Sequence, residues 1–280
     1  MRQIYKDSKW AKEILALQSE IGSWGYFHTL SEPNKHPITT EQALRRLSIL
    51  EYTIDDKPIQ KAVDYMIGCL SGNFCLPDRR EKSHDWDVFT NLMLATWIRK
   101  FTKESHLANN TADIWASIIS SAFIDGEYNH LEYVTSYTNA FGISPHGGRL
   151  VDFLSFYQIS LVADKFDKKT ENSLFDYILN HKGGIYYIYG DALLSVLPDL
   201  FASKQASRYL GAMEILTSYK ASLGKLKFVH NWIINHKNKN GTWDMGSGVN
   251  DKVYFPLSDS WRRKEVREMD CTYRIQKLLN

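Results

Sequence analysis

The sequence predicts an all-α protein, an α/α toroid of about five helix hairpins arranged in two concentric rings of helices. Three observations lead to this prediction. A glycine followed two positions later by an aromatic residue recurs along the chain, an amphipathic helical segment precedes each glycine, and a second helical segment follows it. No low-complexity linker or shift in composition divides the sequence, so we expect residues 1–280 to form a single domain.

The repeated glycine is the most regular feature of the chain. Its five copies are Gly22-Ser23-Trp24, Gly72-Asn73-Phe74, Gly126-Glu127-Tyr128, Gly184-Ile185-Tyr186 and Gly241-Thr242-Trp243. Successive glycines are 50, 54, 58 and 57 residues apart, and a near-constant interval of this size is typical of repeat architectures. Glycine adopts the left-handed backbone that ends many helices, so each copy is predicted to end the helix before it.

The first helix of each predicted pair lies just before its glycine. These helices cover residues 9–18, 58–70, 112–123, 170–181 and 225–236. In the first of them, Trp10, Ile14 and Leu17 recur at the spacing of one helix face. Pro58 suits the first turn of the second, because the N–H group that proline lacks has no partner inside a helix at that position.

The second helix of each pair follows a loop after the glycine. These helices cover residues 40–52, 87–101, 149–166, 204–219 and 271–279. Thr39 or Thr40 can cap the first, and Asp85 or Asp87 can cap the second, because their side-chain oxygens accept from free N–H groups.

Two further segments do not belong to the pairs. Residues 192–201 are predicted to form an additional helical piece, broken by Pro198. Residues 244–267 form a long loop that carries Pro256, and loops of this length inside compact domains are usually functional. Helix pairs with this repeat can stack into an open solenoid or close into a toroid. The long period and the long late loop favour the toroid.

Composition limits the classes of function. A net charge of +2 and the lack of a basic run interleaved with aromatic residues argue against nucleic-acid binding. The first residues have no apolar signal-peptide core, and no stretch approaches the roughly 18 apolar residues of a membrane span. The 3 cysteines include no C-x-x-C pair, so we expect no disulfide framework and a cytoplasmic location. The 8 Trp, 16 Tyr and 13 Phe fill a helical core or line a ligand pocket.

The first repeat carries a family resemblance. Residues 18–24 read Gln-Ser-Glu-Ile-Gly-Ser-Trp, which resembles the Q-x-x-x-G-x-W repeat of the squalene–hopene cyclase and prenyltransferase superfamily. The last copy keeps Gly241 and Trp243 but has Lys237 where glutamine would stand, and the middle three keep only glycine and an aromatic residue. The resemblance implies a terpenoid cyclase-like toroid, a structural role for the repeat, and a small-molecule ligand, isoprenoid-type or polar, in the central cavity.

The catalytic motifs of that superfamily are not matched. Its alkene-protonating cyclases carry a D-x-D-D motif, and the nearest segment here is Asp85-Trp86-Asp87-Val88, which lacks the fourth position. Its protein prenyltransferases bind zinc through a D-x-C motif, whereas Asp270 and Cys271 are adjacent. The sequence therefore identifies no cofactor and predicts no metal site, and fold analogy alone does not assign an activity.

Polar residues near the starts of the predicted inner helices form a candidate pocket, because helix N-termini favour anions. The set contains both signs of charge, which suits a polar or charged small ligand. Its members are Arg45, His84, Asp85, Asp87, Asn91, His146, Arg149, Asp152, Arg208, Asp270 and Arg274.

The densest cluster in this set is the segment His84-Asp85-Trp86-Asp87. Asp85 and Asp87 can share a proton, so that one of them acts as a catalytic acid, with His84 and Asn91 as ligand-binding residues. The alternative is that one carboxylate caps the helix and the rest face solvent. Metal binding through His84 has little support, because no second histidine stands at helical spacing from it.

The second cluster lies in the C-terminal tail. Trp261 and Arg262 can hold a planar or anionic group by stacking and bidentate hydrogen bonding, with Arg274 as a further ligand-binding residue. Asp270 is a third candidate catalytic acid, and its alternative role is to cap the last helix. Cys271 is predicted to be a buried apolar cysteine rather than a nucleophile.

The third cluster is Pro145-His146-Gly147-Gly148-Arg149. Its paired glycines allow backbone N–H groups to approach a ligand, with His146 and Arg149 as binding residues. It lacks the spacing of a phosphate-binding loop, and a plain helix-entry turn is the alternative.

Three functions remain open from the sequence. The first is an enzyme that acts on an isoprenoid-type skeleton with Asp85 or Asp87 as its acid. The second is a carbohydrate-active enzyme that pairs Asp87 with Asp152 or Asp270 across the lumen. The third is a non-catalytic toroid protein that binds a ligand, in which every one of these carboxylates has a structural role.

Overall fold

A computed structural model describes residues 5–28, 37–82, 85–249 and 257–279 of the chain. Across these residues the protein is built from α-helices with a single short β-hairpin, which confirms the predicted all-α class. The chain divides into two compact units, Met1–Ile114 and Trp115–Asn280, whose boundary falls within one helix. That the whole chain forms one domain stays a prediction.

The described residues of the unit Met1–Ile114 form four complete helices and the beginning of a fifth. They are α1 (Lys9–Ala16), α2 (Thr40–Ile49), α3 (Lys57–Leu70), α4 (Trp86–Phe101) and α5 (His106–Ser121). Helices α3 and α4 pack on each other, with Met66 and Leu92 fully buried. The predicted cap is confirmed at α2, where Thr39 and Gln42 form a reciprocal capping box, and the predicted place of Pro58 in the first turn is confirmed at α3.

In the unit Trp115–Asn280, the part of the chain that the structure describes forms the end of α5 and seven further α-helices. They are α6 (His130–Phe141), α7 (Phe156–Leu161), α8 (Lys168–Asn180), α9 (Lys204–Leu216), α10 (Ser222–Lys225), α11 (Lys227–Asn235) and α12 (Lys264–Leu279). Between α8 and α9 the strands β1 (Gly184–Ile185) and β2 (Tyr189–Gly190) form an antiparallel hairpin, with Ile185 paired to Tyr189. A short 3-10 turn covers Ser247–Val249.

The five repeated glycines adopt the same local structure, which confirms the prediction that they supply left-handed backbone. Their φ angles are 99°, 79°, 87°, 63° and 80° in chain order. In every copy the glycine N–H also donates a hydrogen bond to the carbonyl three residues earlier, at 2.9–3.1 Å. The repeat seen in the sequence is therefore a repeat of turn geometry.

The first and last copies share two further hydrogen bonds. In each, the indole N–H of the tryptophan donates to a carbonyl ten residues earlier, and the tryptophan backbone N–H donates to a threonine hydroxyl in the following helix. The two sets are Trp24 with Ile14 and Thr40, and Trp243 with Ile233 and Thr272. The indole thus bonds to the helix before the turn and the backbone N–H bonds to the helix after it, so the tryptophan is structural in both copies.

The residue that precedes this turn differs between the two copies. Gln18 donates to the Gly22 carbonyl at 3.0 Å and to the Pro58 carbonyl at 2.8 Å. In the last copy the Lys237 ammonium lies 5.0 Å from the centroid of the Trp243 ring, a cation–π contact. The two residues therefore make different contacts: glutamine bonds to backbone carbonyls, whereas lysine lies over the tryptophan ring, and the glycine turn forms in both copies.

The middle copies keep the turn but use the aromatic residue differently. Phe74 and Tyr186 are 47% and 45% exposed, whereas Trp24 and Trp243 are buried. Tyr128 is half-buried and stacks on Tyr177 of α8, with ring centroids 4.4 Å apart. The structural equivalence of the middle copies is confined to the glycine turn.

The predicted helix over residues 149–166 is wrong for most of its length, because only α7 forms there. The Asp152 carboxylate accepts from the Leu154 N–H at 2.8 Å and holds a turn before the helix. Ser155 then pairs in parallel with Tyr186 of the hairpin. A local turn and a pairing with a segment distant in sequence thus keep this stretch out of the helix until Phe156.

Two other stretches also differ from the prediction. Residues 192–201 form no helix, since Asp191 has a φ of 59° and the Ser195 N–H donates to the Leu179 carbonyl instead of to a helical neighbour. Helix α6 is absent from the sequence-predicted set. Asn129 caps it and Gly142, with a φ of 73°, ends it, so its end signals are ordinary ones.

No helix in the ranges that the structure describes is both long enough and apolar enough to cross a lipid bilayer.

Candidate functional site

The first predicted cluster is divided between a helix cap and a surface ion pair. Asp85 is the N-cap of α4, and its Oδ1 accepts from the Val88 N–H at 2.8 Å. The Asp87 side chain is 70% exposed and pairs with Arg80 at 2.9 Å. Asn91 is exposed on α4, and His84 lies outside the described residues. Asp85 and Asp87 each have a partner of their own, and their catalytic role stays a prediction.

Asp270 in the second cluster lies inside α12, which begins six residues earlier at Lys264, so its predicted place at the start of the last helix is wrong. It is 1% exposed. Its Oδ2 accepts from the backbone N–H groups of Leu257 and Ser258 at 3.0 and 3.1 Å, from the Ser258 hydroxyl at 2.8 Å and from the Trp261 indole at 2.8 Å. This carboxylate fastens the segment before α12 to the helix itself.

Arg274 follows Asp270 by one helical turn and is also buried. Its guanidinium makes a bidentate pair with Glu214 of α9, with Nη2 at 2.8 and 2.7 Å from the two carboxylate oxygens. Arg262 is exposed. The structure therefore joins Trp261 directly to Asp270, while Arg274 links α12 to α9 and Arg262 faces solvent.

Cys271 lies next to Asp270 and is completely buried. Burial raises the pKa of its thiol to about 11. A thiol that stays protonated at neutral pH is a poor nucleophile, which supports the prediction of a buried apolar cysteine.

The raised pKa of Cys271 predicts a loss of stability at alkaline pH. The unfolded chain releases the thiol proton near pH 9.0, and the folded chain releases it only near pH 11. The free energy of unfolding is therefore unaffected by this group below pH 9 and decreases as the pH rises from 9 to 11. The alanine variant lacks this titrating group. We therefore expect the difference in free energy of unfolding between Cys271→Ala and the parent to be about 1 kcal/mol more favourable to the variant at pH 10 than at pH 7. Urea unfolding at both pH values measures the difference.

The same substitution at the exposed Cys75 is the matched control for this measurement. An equal change between pH 7 and pH 10 for the two alanine variants would show that the Cys271 thiol does not titrate late in the folded protein.

The third cluster forms an exposed surface with the β-hairpin, which we call the Tyr–Arg surface and define as Arg149, Tyr186 and Tyr187. The Arg149 guanidinium carbon lies over the Tyr187 ring, 5.3 Å from its centroid. The rings of Tyr186 and Tyr187 meet edge to face, with centroids 4.4 Å apart. His146 is exposed on the turn that precedes Arg149, where Gly147 has a φ of 80°.

Sequence reasoning identified Arg149 but missed the pair of tyrosines. The available signal was the doubled Tyr186-Tyr187 directly after Gly184, where the pattern assigned only one aromatic residue to the repeat. Tyr187 also has a φ of 73°, one of three positive values among the non-glycine residues that the structure describes. Nothing in a local pattern predicts a tyrosine with left-handed backbone.

A buried polar group in the unit Met1–Ile114 was also missed. Glu41 accepts from the Trp97 indole at 3.2 Å, and its other oxygen lies 2.8 Å from Nδ1 of His28. Arg45, a predicted pocket residue, lies 3.7 Å from Glu41 and over the Trp97 ring. Glu41 belongs to the first turn of α2, and its 56-residue separation from Trp97 explains why no sequence pattern connects them.

The remaining pocket residues stand apart from these groups. Asp152 holds the turn before α7, and Arg208 is exposed on α9. Within the described ranges, no three His, Cys, Asp or Glu side chains are grouped as metal ligands would be. The chain matches no protein-family model, no curated protein and no solved structure.

Proposed function

We propose that this chain is a non-catalytic binding protein with a terpenoid cyclase-like α/α toroid, and that it binds a small ligand with a negative charge at the Tyr–Arg surface. The five equivalent glycine turns support the repeat architecture. The matching tryptophan hydrogen bonds of the first and last copies support a structural role for the motif that carries the family resemblance.

The observation that carries the proposal is the structural use of all three candidate acids. Asp85 caps α4, Asp87 is paired with Arg80 on the surface, and one oxygen of Asp270 accepts from four donors. An alkene-protonating acid and a glycosidase carboxylate must each face the reacting atoms of a substrate. Each of these three carboxylates has one oxygen held by a backbone or side-chain donor of the chain itself, which favours binding without chemistry.

The choice of an anionic ligand follows from the Tyr–Arg surface. Arg149 places a permanent positive charge beside two tyrosine rings that are 45% and 41% exposed. Aromatic residues and arginine are both enriched on surfaces through which proteins bind their partners. Arg149, one of the predicted binding residues, lies directly over the exposed Tyr187 ring.

A thermal-shift experiment tests this function. The protein is heated with isoprenoid diphosphates, aromatic acids, sugars or divalent metals, because a ligand that binds only the folded state raises the melting temperature. We expect a negatively charged compound to raise it, and the compound to be recovered unchanged after long incubation. The Asp87→Asn variant should melt within about 2 °C of the parent and show the same ligand-induced rise.

The non-catalytic proposal would be overturned if the protein converts any of these compounds and if that conversion is lost in a folded variant of a candidate acid. The variants to compare are Asp85→Ser, Asp87→Asn and Asp270→Asn. The lack of a rise with every negatively charged compound would overturn the proposed class of ligand.

A further inference from the structure

We infer that the ligand of the Tyr–Arg surface is a small aromatic acid, a flat ring that carries a carboxylate. The inference rests on the proposed binding function and adds the chemistry of the ligand. Its three supports are the fixed arrangement of the two tyrosine rings, the strained backbone that presents them, and the charge and shape of Arg149.

The two rings form a corner. Tyr186 and Tyr187 are inclined at 71° with centroids 4.4 Å apart. Tyr157, which is buried, meets Tyr187 at 81° with a centroid distance of 5.7 Å and supports it from the interior. Aromatic rings attract one another in offset-stacked and edge-to-face geometries. A flat ring in this corner can stack on one tyrosine while it meets the edge of the other.

The backbone holds this corner in place. The Tyr186 N–H donates to the Leu154 carbonyl at 2.8 Å, and the Tyr186 carbonyl accepts from the Phe156 N–H at 3.2 Å. The Ile188 N–H donates to the Ile185 carbonyl and closes the turn around both tyrosines. Little ordering is then required when a ligand binds, which favours affinity for a rigid ligand.

Tyr187 occupies a backbone conformation that glycine or asparagine would adopt at lower cost. Its φ is 73°, in the third position of the turn that Ile185 begins. Strained residues of this kind concentrate at ligand-binding sites, where the surrounding structure maintains them. A tyrosine at this position contributes an aromatic ring that glycine lacks, and that ring is 41% exposed.

Arg149 determines the charge of the ligand. Its guanidinium lies over Tyr187 at 5.3 Å, so the cation and the ring corner are adjacent. Gly148 precedes it, and a Cβ built there would lie 3.9 Å from Cε2 of Tyr186, so the arginine turn runs alongside the hairpin. The planar fork of arginine matches a carboxylate in shape, and a three-residue surface suits a small ligand with a Kd on the order of 0.1–1 mM.

The probe that tests this inference is 2-naphthoate, titrated into the full chain and followed by NMR. Two matched compounds separate its chemical features: 2-naphthamide keeps the rings without the charge, and cyclohexanecarboxylate keeps the charge without an aromatic ring. We expect 2-naphthoate to bind at least about tenfold more tightly than either, because stacking and charge pairing each contribute about a factor of ten or more.

The variants follow from the same contacts. Tyr187→Gly removes the ring but suits the left-handed backbone, so we expect it to fold and to bind 2-naphthoate at least about tenfold more weakly. Tyr187→Phe keeps the ring and should bind within about threefold of the parent, while Arg149→Gln should lose about tenfold. Leu223→Ala, at a strongly exposed position in α10, should bind as the parent does.

Several outcomes would overturn the inference. One is equal binding of the three compounds, and another is unchanged binding of 2-naphthoate in a folded Tyr187→Gly protein. Binding of an isoprenoid diphosphate that Tyr187→Gly leaves intact would overturn the aromatic-acid inference while the proposed binding function stands. Chemical conversion of a bound aromatic acid would overturn the non-catalytic function while the ligand class stands.

Discussion

Replacing Asp270 with alanine lowers the free energy of unfolding by about 3–5 kcal/mol, the largest loss that we expect from any single carboxylate in the described ranges. Four donors lose their acceptor at once, namely the N–H groups of Leu257 and Ser258, the Ser258 hydroxyl and the Trp261 indole. The donors lie in a buried or half-buried region, so water replaces the carboxylate poorly there. Urea unfolding followed by far-UV circular dichroism measures the loss.

The control for Asp270 is Asp87→Ala, which removes an exposed ion pair and should cost at most about 1 kcal/mol. Asp270→Asn keeps one acceptor oxygen, so its cost should lie between those of the two alanine variants. A loss in Asp270→Ala no greater than in Asp87→Ala would contradict the role of Asp270 as the residue that fastens the 257–261 segment to α12.

Gly22→Ala should destabilise the protein by about 3–5 kcal/mol, for a reason that combines backbone strain with overlap. Gly22 has a φ of 99°, and a Cβ added there would lie 2.3 Å from the carbonyl oxygen of Lys61. That oxygen belongs to the backbone of α3, which cannot move without disturbing the helix. Thermal and urea unfolding of the variant measure the effect.

The repeat contains its own control for Gly22. Gly72 has a φ of 79° and the same turn hydrogen bond, but an added Cβ would meet no atom within 4 Å. Gly72→Ala therefore measures backbone strain without overlap, and we expect a loss of about 1–2 kcal/mol. Similar losses in both variants would mean that the contact with Lys61 is relieved at little cost.

The features that the sequence predicted correctly are those that depend on neighbouring residues. A glycine with left-handed φ, a threonine with a reciprocal glutamine at a helix start, and a proline in a first turn each act within about four residues. Asp85 belongs to the same group, since it caps α4 through an N–H three residues away. These features can be recognised in the sequence without any knowledge of the tertiary structure, although the residues that cap the ends of α1, α8 and α11 are Leu17, His181 and His236 rather than the repeated glycines.

The features that the sequence failed to predict depend on contacts between distant segments. The helix expected over residues 149–166 is shortened because Ser155 pairs with Tyr186, which lies 31 positions later. The role of Asp270 depends on donors 9–13 residues before it, and that of Glu41 on an indole 56 residues away. Helical periodicity and capping patterns relate residues only a few positions apart, so they do not predict contacts between residues this far apart in the sequence.

The candidate site also combines a part that depends on neighbouring residues with a part that depends on a distant segment. The turn at Gly147-Gly148-Arg149 was identified because paired glycines and a cation form a local pattern. Its aromatic half comes from the hairpin tip, and the φ of 73° at Tyr187 contradicts the local preference of tyrosine. A backbone angle that is unfavourable for its residue type can be recognised only in the structure, because the sequence does not show it.

The tryptophan turn also has a consequence for protein engineering. The indole N–H of Trp24 donates to the carbonyl of Ile14, and that of Trp243 donates to the carbonyl of Ile233. Each of these hydrogen bonds therefore forms within eleven consecutive residues. The distance from the indole nitrogen to the carbonyl oxygen is 2.7 Å in both copies, although Lys237 stands in the last copy where Gln18 stands in the first. The features common to both copies are a left-handed glycine, an indole that bonds to the preceding helix, and a threonine of the following helix that accepts from the tryptophan backbone, so a design that borrows this turn needs these three residues and not the glutamine.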